Sequence, residues 1–136
     1  MEEVLKNLMV VEWVAHALHY ETIGNEFYAV HLLADRIKDF GSDADDLKEK
    51  YYLGTLLSTP PRDVDIATGA KEKFDQIGSN PDLLAMAREA LRTLINSVEA
   101  VKKESNILAG VHAVLDDISS RALTYLFLVT NQSTGL

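Results

Sequence analysis

Apolar residues recur every three or four positions along almost the whole chain, and no segment shows the two-residue alternation of a strand. Such a pattern confines the chain to helices packed on helices. Residues 4 to 22 carry one stripe at Leu5, Leu8, Val11, Ala15 and Leu18 and a second at Val10, Val14 and Ala17, so the first helix is expected to be covered on two sides. After a break around Gly24-Asn25, the spacing resumes at Phe27, Val30, Ala34, Ile37, Gly41, Ala44 and Leu47 toward Leu53. Gly41 costs about 1 kcal/mol of helix propensity, but the apolar phase runs through it, so one long helix is expected.

Residues 54 to 69 hold Ser58-Thr59-Pro60-Pro61 and no clear period, which reads as a long connection, with a short helix at residues 70 to 77. Asn80-Pro81 reads as an N-cap followed by proline at the first helical position. A third helix follows on Leu84, Ala87, Leu91, Leu94, Ile95, Val98 and Val101, with Lys102 and Lys103 at its C-terminal end. The fourth runs from about Ile107 to Val129 on Leu108, Val111, Leu115, Ile118, Ala122, Tyr125 and Val129, and residues 131 to 136 are expected to fray. The fold class is therefore all-α: one antiparallel four-helix-bundle domain over residues 1 to 136, with a long connection between its second and third helices.

Composition narrows the function. Thirteen basic and 21 acidic residues give a formal charge of −8, which repels phosphate backbones and disfavours DNA binding. The absence of cysteine removes disulfides, thiolate metal sites and cysteine nucleophiles. Any metal must be held by His, Asp or Glu. Two acids follow Met1, and no apolar run reaches the roughly 20 residues of a membrane span. Residues 122 to 129 read as a buried helix segment, and the chain as soluble and cytoplasmic.

Three of the four histidines fall in the first 31 residues. His31 and Asp35 stand at i and i+4 on one helix face, a spacing suited to helical metal sites. His19 precedes Gly24 by five residues and His31 follows it by seven, so a hairpin brings the two to similar heights. Glu12, His16 and His19 form a second candidate group, ranked lower because three ligands in a row along one helix do not converge on an ion. Asp46 returns to nearly the face of Asp35, but roughly 16 Å further along the helix; only a two-fold partner chain brings it near His31 and Asp35. The plain alternative is that Asp43, Asp45, Asp46 and Glu49 make a solvated acidic face. His112 reads as a core or interface residue.

The segment from His19 to Asp35 resembles the signature of Dps-type mini-ferritins, the small iron-storing branch of the ferritin-like family. His19, Gly24, Phe27, His31 and Asp35 match the pattern without a gap, and Asp46 stands where the family places its next ligand. The resemblance implies a ferritin-like bundle assembled into a hollow dodecamer of two-fold dimers. It further implies a ferroxidase centre between subunits, with His19, His31 and Asp35 from one chain and Asp46 from its neighbour. Ferrous iron, or another divalent metal such as zinc, is bound there by imidazole and carboxylate, with no catalytic residue beyond the ligands.

Three departures modify this expectation. Lys50 replaces the usual Glu four residues after Asp46, and its ammonium disfavours a second iron. Glu49 is adjacent but turned about 100° away on an ideal helix, so it substitutes only where the helix unwinds. Tyr20 occupies the place of a common Trp. A ferritin-like assembly or interaction protein without metal chemistry is the alternative function.

Overall fold

The computed structural model describes residues 1–24, 27–78 and 82–134, with Ser133 and Thr134 described by backbone alone. The described residues form helices and connections, without a strand. The six α-helices are α1 (Glu2–Glu21), α2 (Phe27–Ile37), α3 (Gly41–Leu47), α4 (Asp63–Ile77), α5 (Leu83–Lys102) and α6 (Ala109–Thr134). None is long and apolar enough to cross a membrane.

Helix α1 buries both anticipated stripes except Ala17, which is half-buried, because it lies between neighbours. Its N-terminus carries Glu2 and Glu3, favourable to the helix dipole. It ends at Thr22, whose backbone is extended, and Gly24 then takes φ +90°, a left-handed conformation that favours glycine. Asn25 lies outside the described residues. The chain returns antiparallel to α1: His19 meets His31 at one end, while Leu5 and Leu8 share a cavity with Phe40 and Ala44 at the other.

The second helix stays helical through Gly41 but is not one uniform rod. Lys38–Phe40 is a 3-10 turn in which Asp39 leaves helical geometry (φ −89°, ψ 22°), and Lys48–Leu56 winds as a π-helix. A tighter turn advances the angular phase of the residues after it. Phe40, rather than Gly41, therefore enters the core: it is 1% exposed, whereas Gly41 is exposed. Its ring meets Tyr125 edge-on at 5.7 Å and carries the Arg121 guanidinium over its face at 4.8 Å. Phe27 and Leu53, the expected ends of the stripe, are both exposed.

The connection is shorter than expected. Helix α4 begins at Asp63, not at residue 70, and buries Ile66 and Ala70 one turn apart. It packs on the outside of α1, where Phe74 meets Trp13 edge-on at 5.9 Å and Lys73 pairs with Glu3 at 2.6 Å. Asn80 and Pro81, the expected start of the next helix, lie outside the described residues; the cap itself is Asp82, whose carboxylate accepts hydrogen bonds from the Leu84 and Ala85 amides.

Helices α5 and α6 bury their expected stripes, except that Leu84, Ile95 and Tyr125 are half-buried and Leu108 is an exposed residue ahead of α6. Helix α6 remains helical to Thr134, past the expected fraying point. The run at 122 to 129 is amphipathic rather than buried: Ala122 and Val129 face the core, and Leu123 and Phe127 are exposed. Helix α5 runs antiparallel to α1, with Asn7 beside Thr93 and Val14 beside Ala87 and Leu91. Helix α6 runs antiparallel to α5 and to the α2–α3 segment, as the pairs Ser119–Glu99, Arg121–Asp43 and Tyr125–Phe40 establish. The core is thus shared by α1, α2–α3, α5 and α6, with Ile66 and Ala70 added by α4.

Candidate metal centre

At the turn between α1 and α2, His19, His31 and Asp35 each offer a ligand atom, and the three atoms lie within 4.8 Å of one another. It is the one group of this kind among the described residues. His19 comes from the last turn of α1, and His31 and Asp35 project together from α2. The imidazoles lie 4.0 Å apart, centroid to centroid, tilted by 32°. Phe27 flanks His31 at 5.3 Å, and Tyr20 stands edge-on to His19 at 4.7 Å with its own ring largely exposed. Tyr20 is thus an aromatic beside the cluster and not a core residue.

Two polar atoms here are buried without a hydrogen bond, Nδ1 of His19 and Nδ1 of His31. Nδ1 of His19 is only 3.2 Å from Asp35 Oδ1, yet the pair lacks hydrogen-bond geometry. Leaving a buried polar atom unpaired costs about 1–3 kcal/mol, and both nitrogens are left available to a ligand. Ligand atoms about 2.1 Å from a shared ion stand roughly 3–4 Å apart. The separations here require side-chain shifts of the order of 1 Å. Two imidazoles and one carboxylate form a borderline donor set suited to iron or zinc.

Lys38, which the sequence pattern does not single out, reaches the same carboxylate. Its Nζ lies 3.0 Å from Asp35 Oδ1, the oxygen that faces His19. This ammonium is the main cause that holds the Asp35 carboxyl below the ordinary carboxylate range; partial desolvation acts in the opposite direction, and His19 and His31 add smaller contributions of their own. The signal was present in the sequence as an i, i+3 pair of opposite charges.

The other candidates stand apart. His16 is exposed, and Glu12, His16 and His19 do not converge. Asp46 is exposed on α3 and is not part of the cluster within this chain. The equal-phase argument linking Asp46 to Asp35 assumed an uninterrupted α-helix, and the 3-10 turn at Lys38–Phe40 removes that assumption. Glu49 and Lys50 are exposed in the π-helical segment, so local unwinding, the condition for Glu49 to change direction, is present. The acidic face is solvated at Asp45, Asp46 and Glu49 but not at Asp43, which is buried and 2.6 Å from Arg121. His112 is half-buried beside Asp116 rather than in the core.

No family model, no curated protein and no solved structure matches this chain.

Proposed function

We propose that the chain is a mini-ferritin-like homo-oligomer that binds iron, or another divalent metal such as zinc, at its subunit interfaces. The observation that carries this reading is the convergence of His19, His31 and Asp35 at one turn, with an unbonded buried nitrogen on each imidazole. The helix order supports it, since two antiparallel hairpins joined by a long crossover are the plan of ferritin-like four-helix bundles. Exposed Ile23, Tyr28, Leu32, Leu123 and Phe127 offer apolar surface for neighbouring subunits. In this reading a dodecamer of two-fold dimers places Asp46 of a second chain beside His19, His31 and Asp35. Ferrous iron is the substrate: a peroxide takes one electron from each of two ferrous ions and leaves as two hydroxides, and the ferric product is stored within the shell. Lys50 near the second position favours one bound metal over two.

The test is ferrous and zinc titration of the native assembly with its mass measured by light scattering. The reading expects a closed oligomer, metal binding abolished by His31→Ala, and more iron bound per site, with faster peroxide-dependent oxidation, in Lys50→Glu. A stable monomer at micromolar concentration that binds no metal overturns it. The assembly is expected to carry a formal charge of about −100, so duplex DNA at physiological salt is not shifted unless Mg²⁺ bridges the two. A second reading, an assembly protein without metal chemistry, draws on Lys38, which already neutralises Asp35.

A further inference from the structure

The oxygen of Asp35 that faces His19 already has a cation beside it. Lys38 follows Asp35 by three residues, and its Nζ lies 3.0 Å from Oδ1, the same atom that stands 3.2 Å from His19 Nδ1. A metal ion coordinated by that oxygen and the two imidazoles therefore meets an ammonium in its immediate surroundings. Like charges at such a separation repel more strongly than an exposed ion pair attracts, so the two cations do not share the carboxylate oxygen. Lys38 has somewhere to go. Its side chain is 45% exposed, and it starts a 3-10 turn whose next residue, Asp39, has already left helical geometry.

We propose that Lys38 is an internal competitor for the metal: its ammonium balances Asp35 in the metal-free chain and is expelled to solvent when the ion binds. This proposal rests on the metal-binding reading above and adds a residue that sets the affinity of the site. The lysine keeps the empty site electrostatically neutral and raises the metal concentration at which the site fills. Lys50 plays a different part, since it stands on the π-helical segment and outside the cluster.

Cobalt(II), which reports its coordination through visible absorption, separates the outcomes when titrated into the full-length assembly. Lys38→Gln removes the charge and keeps a polar side chain; it is expected to tighten cobalt binding by about fivefold, the scale of an exposed ion pair. Lys38→Arg keeps the charge and is expected to bind no more tightly than the unaltered protein. His31→Ala in the Lys38→Gln background is expected to abolish the cobalt spectrum. An independent readout is labelling of Lys38 by an amine-reactive reagent, which should accelerate several-fold when zinc is added, because the ammonium has left Asp35. If Lys38→Gln leaves affinity unchanged or weakens it while the unaltered protein binds cobalt through His31, the competitor proposal is overturned and the metal reading stands. If neither protein binds cobalt, both fall.

Discussion

The two ends of the α1–α2 and α5–α6 hairpins treat polar groups in opposite ways. Near the α5–α6 connection, Lys102 pairs with Glu99 at 3.2 Å and with Asp116 at 2.7 Å, and the Ser119 hydroxyl donates to Glu99. Every one of these charges has a partner and partial access to water. At the α1–α2 turn, two imidazole nitrogens are buried without a hydrogen bond, and one carboxylate oxygen is approached by both His19 and Lys38. The first arrangement is what stability alone produces. The second leaves donors unpaired, and that contrast is why the proposed metal site is placed at the α1–α2 end.

The sharpest way to break this comparison is to remove core on one side and ligands on the other. Leu94 of α5 is 0% exposed, and Leu94→Ala is expected to lower unfolding free energy by about 2–5 kcal/mol while a zinc-induced rise in melting temperature persists. His31→Leu is expected to do the reverse. Its metal-free stability should hold or rise by up to about 1 kcal/mol, because an unpaired buried nitrogen is gone. Its zinc response, about 2.7 kcal/mol for the unaltered chain at a hundredfold excess over the dissociation constant, should vanish. Calorimetry with and without zinc reads both, and a zinc response that survives His31→Leu would remove the site.

A smaller effect is expected at Asp43, which joins the two halves. Asp43→Asn takes one charge from a partly buried pair but leaves Arg121 its bond to Asp117, so urea denaturation should show a loss of about 1–3 kcal/mol. The smallest effect concerns acid. Glu99 is held below its ordinary range first by the Ser119 hydroxyl and then by Lys102, and Asp116 first by Lys102. A carboxylate with a lowered folded pKa stabilises above its unfolded value, near 4, and loses that contribution as pH falls through the folded value. The melting temperature should therefore drop on acidification from pH 5 toward pH 3. Lys102→Met should flatten that drop, whereas an equal slope in the variant would show that the network contributes nothing.

How much of this was legible depended on how regular the local winding is. The core stripes of α1, α5 and α6 were readable because an α-helix keeps its phase, and Leu91, Leu94, Leu115 and Ile118 fell where the spacing put them. Phe40 was missed because a single 3-10 turn displaces the phase, and nothing in Lys38-Asp39-Phe40 announces that turn. Helix α4 was half missed because its buried stripe is just Ile66 and Ala70, too few apolar residues to stand out beside Pro60-Pro61. At the candidate site, His19, His31 and Asp35 were legible from spacing across one hairpin. Lys38 was visible as a neighbour, but its choice of the one oxygen that faces His19 is a matter of side-chain geometry that no spacing encodes.

The partly buried pair between Arg121 and Asp43 has a mechanical consequence. After the irregular turn at Lys38–Phe40, α3 is no longer steered by α2 alone; it packs on α1 and is tethered to the middle of α6, where the guanidinium also lies over Phe40. Asp46, one turn beyond Asp43, inherits its direction from that tether. A shortened chain that ended before Arg121 would therefore lose more than a helix: it would leave α3 held by α1 alone, and the aim of an N-terminal carboxylate would loosen through a cut made near the opposite terminus.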